Sequence, residues 1–528
     1  MAEASTSAYD KFIIESAEQY LQTVVLIDDR IYESKSGSVT SHLTKPPEVR
    51  RKAALKSTIP SSDKSSKEIR KAEVPEEPDE VSFHNVQNSF AKKRIICSLY
   101  QPKKSASFGR QSEVYKLCST ADVVIVDWDL HGDSGDKATT LVGSLVEQSR
   151  IEIPQQLRLV LIYTLETNLQ SVSDKIFENL VKRLSKDKVD VDPQSEGLVL
   201  TTDNARVVVL GKREDTTLTQ FSEYWVPEDK LATRTINEFS QLASGLLQGI
   251  VLRGVAKVRE NNRRILTRFH KDLDIAFLTH RALILPDEAF GQIIPLLTDE
   301  LRAVLEDTLG DFPLGTALDV KGIIDDWCGK RWKQNDDAKL KIGDEADGLK
   351  FVKNVFCQGP TIKEEDYSGD QRSIIQGLIE KREDEFPKWT KKGCKKLAEY
   401  LLGDCEVDHC HEKLGSLMSQ RVRYDNSRKA LHLGVIVREL ADKKRYLLCL
   451  QPVCDSVRMA GKNRAFLFCF LNKAMDDKPT HCVINESGKL IQLQYKPKIS
   501  NIFVSNFKGN NDTVCANKDE QSRFIFKG

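Results

Sequence analysis

The stretch Asp122–Asp133, DVVIVDWDLHGD, decides the fold. Val123–Val126 is an unbroken β-branched run with polar neighbours, the pattern of a strand buried on both faces in the middle of a parallel sheet. It empties into Asp127, Trp128, a second acid at Asp129 and a turn at Gly132. In such sheets chemistry gathers at the carboxyl ends of the strands, where loops escape the packing that fixes the strands themselves. Asp127 at that exit is a candidate metal ligand, nucleophile, or both.

Similar runs lie on either side. Upstream, Val24–Ile27 ends in Asp28 and Asp29, adjacent carboxylates that repel one another unless a cation or a proton separates them. Downstream, Arg158–Tyr163 (RLVLIY) is followed by Thr164, and Arg206–Leu210 (RVVVL) by Gly211 and Lys212. RIICSLY, ending at Tyr100, reads as a further strand, and helical spacing covers Glu113–Ser119, Lys137–Gln148 and Val172–Leu184. Strands separated by helices predict right-handed βαβ units and an α/β, doubly wound parallel sheet. Asp28, Asp29, Asp127, Thr164 and Lys212 then share one edge of one sheet. Three crowded carboxylates call for a hard divalent cation with oxygen ligands, which suits Mg²⁺. A metal and a lysine ammonium would make Asp127 a competent nucleophile toward phosphorus, and Thr164 would bond a phosphoryl oxygen.

These residues, in this order, resemble the receiver domain of two-component response regulators. The resemblance spans roughly residues 10–225 and implies a flavodoxin-like fold with a phosphoacceptor at Asp127. It also implies Mg²⁺ ligation by Asp28, Asp29, Asp127 and the backbone carbonyl of Asp129, a switch hydroxyl at Thr164, and a phosphate-pairing Lys212. The partner it implies is a histidine kinase that donates the phosphoryl group, with another receiver or an effector protein beyond it. No enzymatic activity is expected other than self-phosphorylation and self-dephosphorylation. Receivers joined to unfamiliar C-terminal regions are similar to those of bacterial antiviral phosphorelays. Three positions depart from the family: Arg30 stands where some receivers carry a third acid, Arg213 replaces the usual proline after the lysine, and Val209 replaces a common aromatic residue. The acids Asp129 and Glu166 occupy positions that flank the phosphate in the family.

The rest of the 528 residues bounds the reading. Such a length exceeds one core and predicts several domains. The expected division is a receiver over 1–232 with a disordered insertion at about 33–88, rich in Ser, Lys, Glu and Pro. A helical region over 233–310, a mostly helical domain over 311–430 and a β-rich domain over 431–528 follow. Helices are expected over Tyr9–Thr23, Ile236–Val258, Ile265–Ala282 and Asp287–Leu309. A formal charge of +1 argues against a protein that coats nucleic acid or anionic membrane. No secretory signal or spanning run is visible, so a cytoplasmic protein with reduced cysteines is expected.

Rival readings carry less. Haloacid-dehalogenase phosphatases also place an acid two residues after a nucleophilic aspartate, but their paired acids come last in the chain, and His131 stands where a Thr or Val is usual. A receiver-like scaffold without phosphorylation and a receiver that gates an enzymatic C-terminal half keep the same fold. The cluster Cys405, Asp408, His409, Cys410, His411 matches no zinc spacing and reads as polar helix-end residues. Cys454 reads as part of a hairpin loop. Seven basic residues between Arg253 and Lys271 read as a solvated helical face rather than a nucleic-acid contact.

Overall fold

Five parallel strands, β1 (Thr23–Ile27), β2 (Ile96–Tyr100), β3 (Val123–Val126), β4 (Arg158–Thr164) and β7 (Ala205–Gly211), lie in the order β2-β1-β3-β4-β7. Two short antiparallel strands, β5 (Asp192–Gln194) and β6 (Val199–Thr201), extend the sheet beyond β7. In the computed structural model the chain divides into two units, residues 1–318 and 319–528. The structure describes residues 7–31, 83–151, 156–185, 191–212, 221–283, 293–309, 320–334, 345–359 and parts of 363–527.

The first unit is the flavodoxin-like, doubly wound sheet that the sequence predicts. All four residues of β3 and all seven of β4 are buried, which is why β3 and the Leu159–Tyr163 stretch of β4 are runs of large hydrophobic residues rather than alternating. Ile27, Val126 and Ile162 stand in register across β1, β3 and β4, and Ile162 pairs with Val209 of β7. The polar residues that follow each run therefore emerge at one edge. Around the sheet lie α1 (Ala8–Tyr20), α2 (Phe83–Lys92), α3 (Glu113–Thr120), α4 (Asp136–Ile151), α5 (Leu169–Leu184) and α6 (Leu231–Leu242), and side chains from all of them join one buried core.

Several boundaries differ from the sequence expectation. Residues 83–88, expected within the disordered insertion, begin α2, because Phe83, Val86 and Phe90 recur at helical spacing and Val86 and Phe90 are fully buried. The remainder of the insertion, 32–82, lies outside the described residues. The leading helix is capped at Ser7 and ends at Tyr20. The expected boundary at 232 falls inside α6, whose Leu231, Ala232, Ile236 and Phe239 pack into the sheet's core. The helix expected over Ile236–Val258 is two helices, α6 and α7 (Leu246–Arg268), with Gly245 at the break. Then come α8 (Asp274–Leu283) and the helix Ile293–Leu309.

In the second unit, helices Val320–Gln334 and Glu345–Gln358 share a core around Trp332, Phe351, Val352 and Val355. An antiparallel sheet follows, with strands Ile436–Arg438, Tyr446–Cys449, Asn463–Lys473, Lys489–Tyr495 and Cys482–Glu486 in that spatial order. A strand missed from sequence, Ile502–Lys508, pairs with Asn463–Cys469. Among the described residues, no helix is long and apolar enough to cross a membrane.

Candidate functional site

The strand ends place the acids. The β1 ladder continues past its end, with Asp28 N–H donating to Tyr100 O at 3.3 Å and Asp127 N–H to Ile27 O at 2.8 Å. Asp28, Asp29 and Asp127 consequently meet: one carboxylate oxygen from each lies within 4.8 Å of the other two. Lys212 arrives from the end of β7, where its N–H donates to Thr164 O at 2.8 Å. Its ammonium lies 2.5 Å from Asp28 Oδ2 and 2.8 Å from Asp127 Oδ1. All of this is out of water, with Asp28 1%, Asp127 6%, Thr164 2% and Lys212 3% exposed.

Three buried carboxylates against one ammonium leave two negative charges in excess, which a low-dielectric site tolerates poorly. Burial is the main reason that the Asp127 carboxyl is pushed up to about 6; Lys212 opposes the rise, and Asp28 and Asp29 add to it. Asp29 Oδ1 is buried without a hydrogen-bond partner. A hard divalent cation fits both facts, because it would engage the orphaned oxygen and offset the excess charge with the all-oxygen donors that Mg²⁺ prefers. Asp28, Asp29 and Asp127 are the side chains placed to hold it. The Asp129 carboxylate is not among the clustered atoms; its Oδ1 accepts instead from Ser134 N–H at 2.9 Å.

Thr164, the last residue of β4, accepts from Glu166 N–H at 3.0 Å through Oγ1. That bond fixes the oxygen and leaves the hydroxyl proton to be donated. The loop after β3 is held by backbone that favours glycine: His131, Gly132, Ser134 and Gly135 all have positive φ. At Gly135 a Cβ would meet Trp128 Cζ2 at 2.1 Å, so the indole lies directly on the glycine.

Sequence reasoning gave His131 no role in the site. Its N–H donates to Asp29 Oδ2 at 2.8 Å, its Nδ1 is 3.3 Å from the same oxygen, and its Nε2 is 2.8 Å from Pro102 O. Gln101 Nε2 donates to Asp29 O at 2.6 Å. Loops after β1, β2 and β3 are thus tied together around one acid. Nothing in periodicity or spacing signals this, since the partners lie 29 and 102 residues from His131.

Departures from the family have visible settings. Arg30 N–H donates to Asp28 Oδ1 at 2.8 Å, so its backbone supports the acid pair. Val209 is fully buried in β7. The neighbouring aromatic position is Tyr163, which precedes Thr164; its hydroxyl donates to Val226 O at 2.8 Å, and its ring lies 5.9 Å from Lys212 Nζ. Trp225 covers Gly211, where a Cβ would come within 2.1 Å of the indole. Arg213 lies outside the described residues.

Elsewhere, Cys410 and His411 are exposed inside the helix Asp404–Ser419, not at its end. The side chains of Cys405, Asp408 and His409, and residue Cys454, lie outside the described residues. The strands Tyr446–Cys449 and Asn463–Lys473 that flank Cys454 do pair antiparallel. Of the basic segment, Arg253 bonds Glu15, Ser16 and Phe12 O, and Arg259 bonds Asp122 and Tyr20 O, so two of its members hold the fold rather than face solvent alone.

Residues 20–217 match the family model described as the response receiver domain. The matched span contains every clustered side chain described above and ends before the second unit. No curated protein and no solved structure matches the chain.

Proposed function

We propose that the receiver domain accepts a phosphoryl group on Asp127 from a phosphohistidine of a partner kinase, in a Mg²⁺-dependent phosphorelay. The observation that carries this reading is the double contact of Lys212, 2.5 Å from Asp28 and 2.8 Å from Asp127, beside the unpartnered Asp29 Oδ1. The cluster keeps a buried carboxylate oxygen without a hydrogen-bond partner beside the Asp127 carboxylate.

In the proposed transfer, an Asp127 carboxylate oxygen forms the new bond to phosphorus while the phosphorus–nitrogen bond of the donor breaks. The imidazole leaves with the bonding pair. Asp28 and Asp29 would hold Mg²⁺ together with Asp127, and the ion would supply positive charge to phosphoryl oxygens. Lys212, already shared between two acids, follows the negative charge as it moves from the carboxylate to the phosphoryl group. Thr164 donates its hydroxyl to a phosphoryl oxygen, since its lone pair is engaged by Glu166 N–H. Burial of the site excludes the water that would hydrolyse the acyl phosphate.

Acetyl phosphate with Mg²⁺, read by intact-protein mass spectrometry, tests the reading. One added phosphoryl group, labile to hydroxylamine and absent in Asp127→Asn, is expected. A folded protein that stays unmodified under these conditions overturns the proposal.

A further inference from the structure

We infer that Tyr163 is a positioning residue for Lys212: it ties β4 to the segment Tyr224–Val226 across the end of β7, and this clamp aims the ammonium at Asp28 and Asp127. The inference rests on the proposed part of Lys212 in phosphoryl transfer and names the residue that holds the lysine to it.

β6 stops short of the end of β7. The two strands pair no further than Val208, and one more bond joins them where Val209 N–H donates to Leu198 O at 3.0 Å. Gly211 and Lys212 lie beyond that reach. The segment Tyr224–Val226 takes over: Trp225 bridges Gly211 in parallel, and Val226 N–H donates to Gly211 O at 2.9 Å. On the opposite side, Lys212 N–H donates to Thr164 O at 2.8 Å. The peptide unit that joins Gly211 to Lys212 is thus gripped from both flanks, through its carbonyl on one and its N–H on the other. The segment is fixed in turn to α6, where the Arg234 guanidinium lies 4.9 Å from the Tyr224 ring centre and 2.7 Å from Glu238.

Tyr163 joins the two flanks. It is buried and pairs with Leu210 in the register of β4 and β7. Its hydroxyl donates to Val226 O at 2.8 Å and stands 3.5 Å from Lys212 O, so a side chain of β4 holds the main chain of the far flank and borders that of Lys212 itself. Its ring centre is 5.9 Å from Lys212 Nζ, inside the range over which an aromatic face attracts an ammonium. A phenylalanine would fill the same space, and burying a hydroxyl is unfavourable unless it is bonded. What the hydroxyl adds to the fold is the tie across β7. The residue so tied is the one whose ammonium meets two carboxylates at 2.5 and 2.8 Å.

Tyr163→Phe in the full chain, which keeps the ring and removes the hydroxyl, tests the inference by two readings. With acetyl phosphate and Mg²⁺, followed by intact-protein mass spectrometry, the variant should gain its phosphoryl group roughly fivefold more slowly than the parent, the equivalent of one neutral hydrogen bond. In a Lys212→Met background the same change should leave the rate where Lys212→Met alone sets it. Independently of phosphorylation, acetic anhydride labelling resolved by peptide mass spectrometry should find Lys212 protected in the parent and several-fold more reactive in Tyr163→Phe. Lys93 and Lys137, half-buried elsewhere in the receiver, should label alike in both proteins. Equal phosphorylation rates for parent and Tyr163→Phe overturn the inference, as does a loss of the same size with and without Lys212. Equal labelling of Lys212 in the two proteins overturns it whatever the rates. A parent that takes up no phosphoryl group refutes the reading of Asp127 instead; the labelling then decides the role of Tyr163 alone, as it does where Lys212→Met proves inert.

Discussion

The ammonium of Lys212 lies 2.5 Å from Asp28 Oδ2, a contact between residues 184 positions apart that closes the sheet's edge over its acids. Removing the ammonium leaves Asp28, Asp29 and Asp127 facing one another without the positive charge that touches two of them. Lys212→Met is therefore expected to lower stability by about 3 kcal/mol in the presence of a chelator, the usual cost of stranding one side of a buried pair. Mg²⁺ should recover much of that loss, because it supplies the missing charge to the same oxygens. Thermal melts with and without Mg²⁺ check this; equal melting temperatures for parent and variant in chelator would show that the lysine does not offset the acids.

Asp127 is costly to the fold at neutral pH for the same reason. Its native pKa is raised from 3.8 to about 6, so the folded state binds the proton more tightly than the unfolded state. The stabilising contribution is complete below pH 3.8 and is lost as pH rises through about 6. Without divalent cations, Asp127→Asn should therefore be more stable than the parent at pH 7, by at most roughly 3 kcal/mol. The advantage should shrink below pH 6 and vanish near pH 4, the two ends of that shift. Urea titrations of both proteins across that range measure it; a difference that grows on acidification would contradict the assignment.

The site was legible because each of its residues follows a run of consecutive hydrophobic residues, and a parallel sheet brings such exits to one edge whatever their distance in the chain. Asp28, Asp29, Asp127, Thr164 and Lys212 could be read from that rule alone. His131 could not, since its part depends on a left-handed turn and on a carbonyl from another loop. Helix α2 was hidden by the polar text before it, where three apolar residues are too few to stand out. Helix α6 was merged with α7 because the apolar period runs on through Gly245, which stands in extended backbone as the N-cap of α7. Strand Ile502–Lys508 was overlooked because Ser505 and Asn506 interrupt its apolar residues; it is held by the length of its neighbour rather than by its own pattern.

Asp122 gathers the opposite end of the sheet. Its Oδ2 accepts from Gln22 N–H at 2.9 Å, Thr23 N–H at 3.0 Å and Arg259 at 3.0 Å, while Oδ1 accepts from Arg259 at 3.1 Å. The carboxylate thus joins β1 to α7 through a forked pair, which is stronger than a single contact. Asp122→Asn and Arg259→Gln, measured singly and together by urea denaturation, should show a coupling of about 1–2 kcal/mol. Additive effects would mean that the Asp122–Arg259 pair does not help to hold α7 to the receiver.

Two glycines of the loop after β3 separate backbone strain from steric contact. Gly132 has φ +74° and open space within 4 Å of the point where a Cβ would stand, so Gly132→Ala meets only the left-handed penalty, roughly 1 kcal/mol. Gly135 has φ +92°, and there a Cβ would stand 2.1–2.4 Å from Trp128 ring atoms. Gly135→Ala must bear a comparable penalty and also displace the indole, whose neighbour Asp127 is the proposed acceptor, adding about 1–3 kcal/mol of overpacking. Asp127 phosphorylation by acetyl phosphate should then slow markedly in Gly135→Ala and stay near the parent rate in Gly132→Ala, and the Trp128 displacement should appear as an altered tryptophan emission spectrum. Equal stabilities and equal rates for the two alanine variants would show that the indole does not hold the loop after β3 in place.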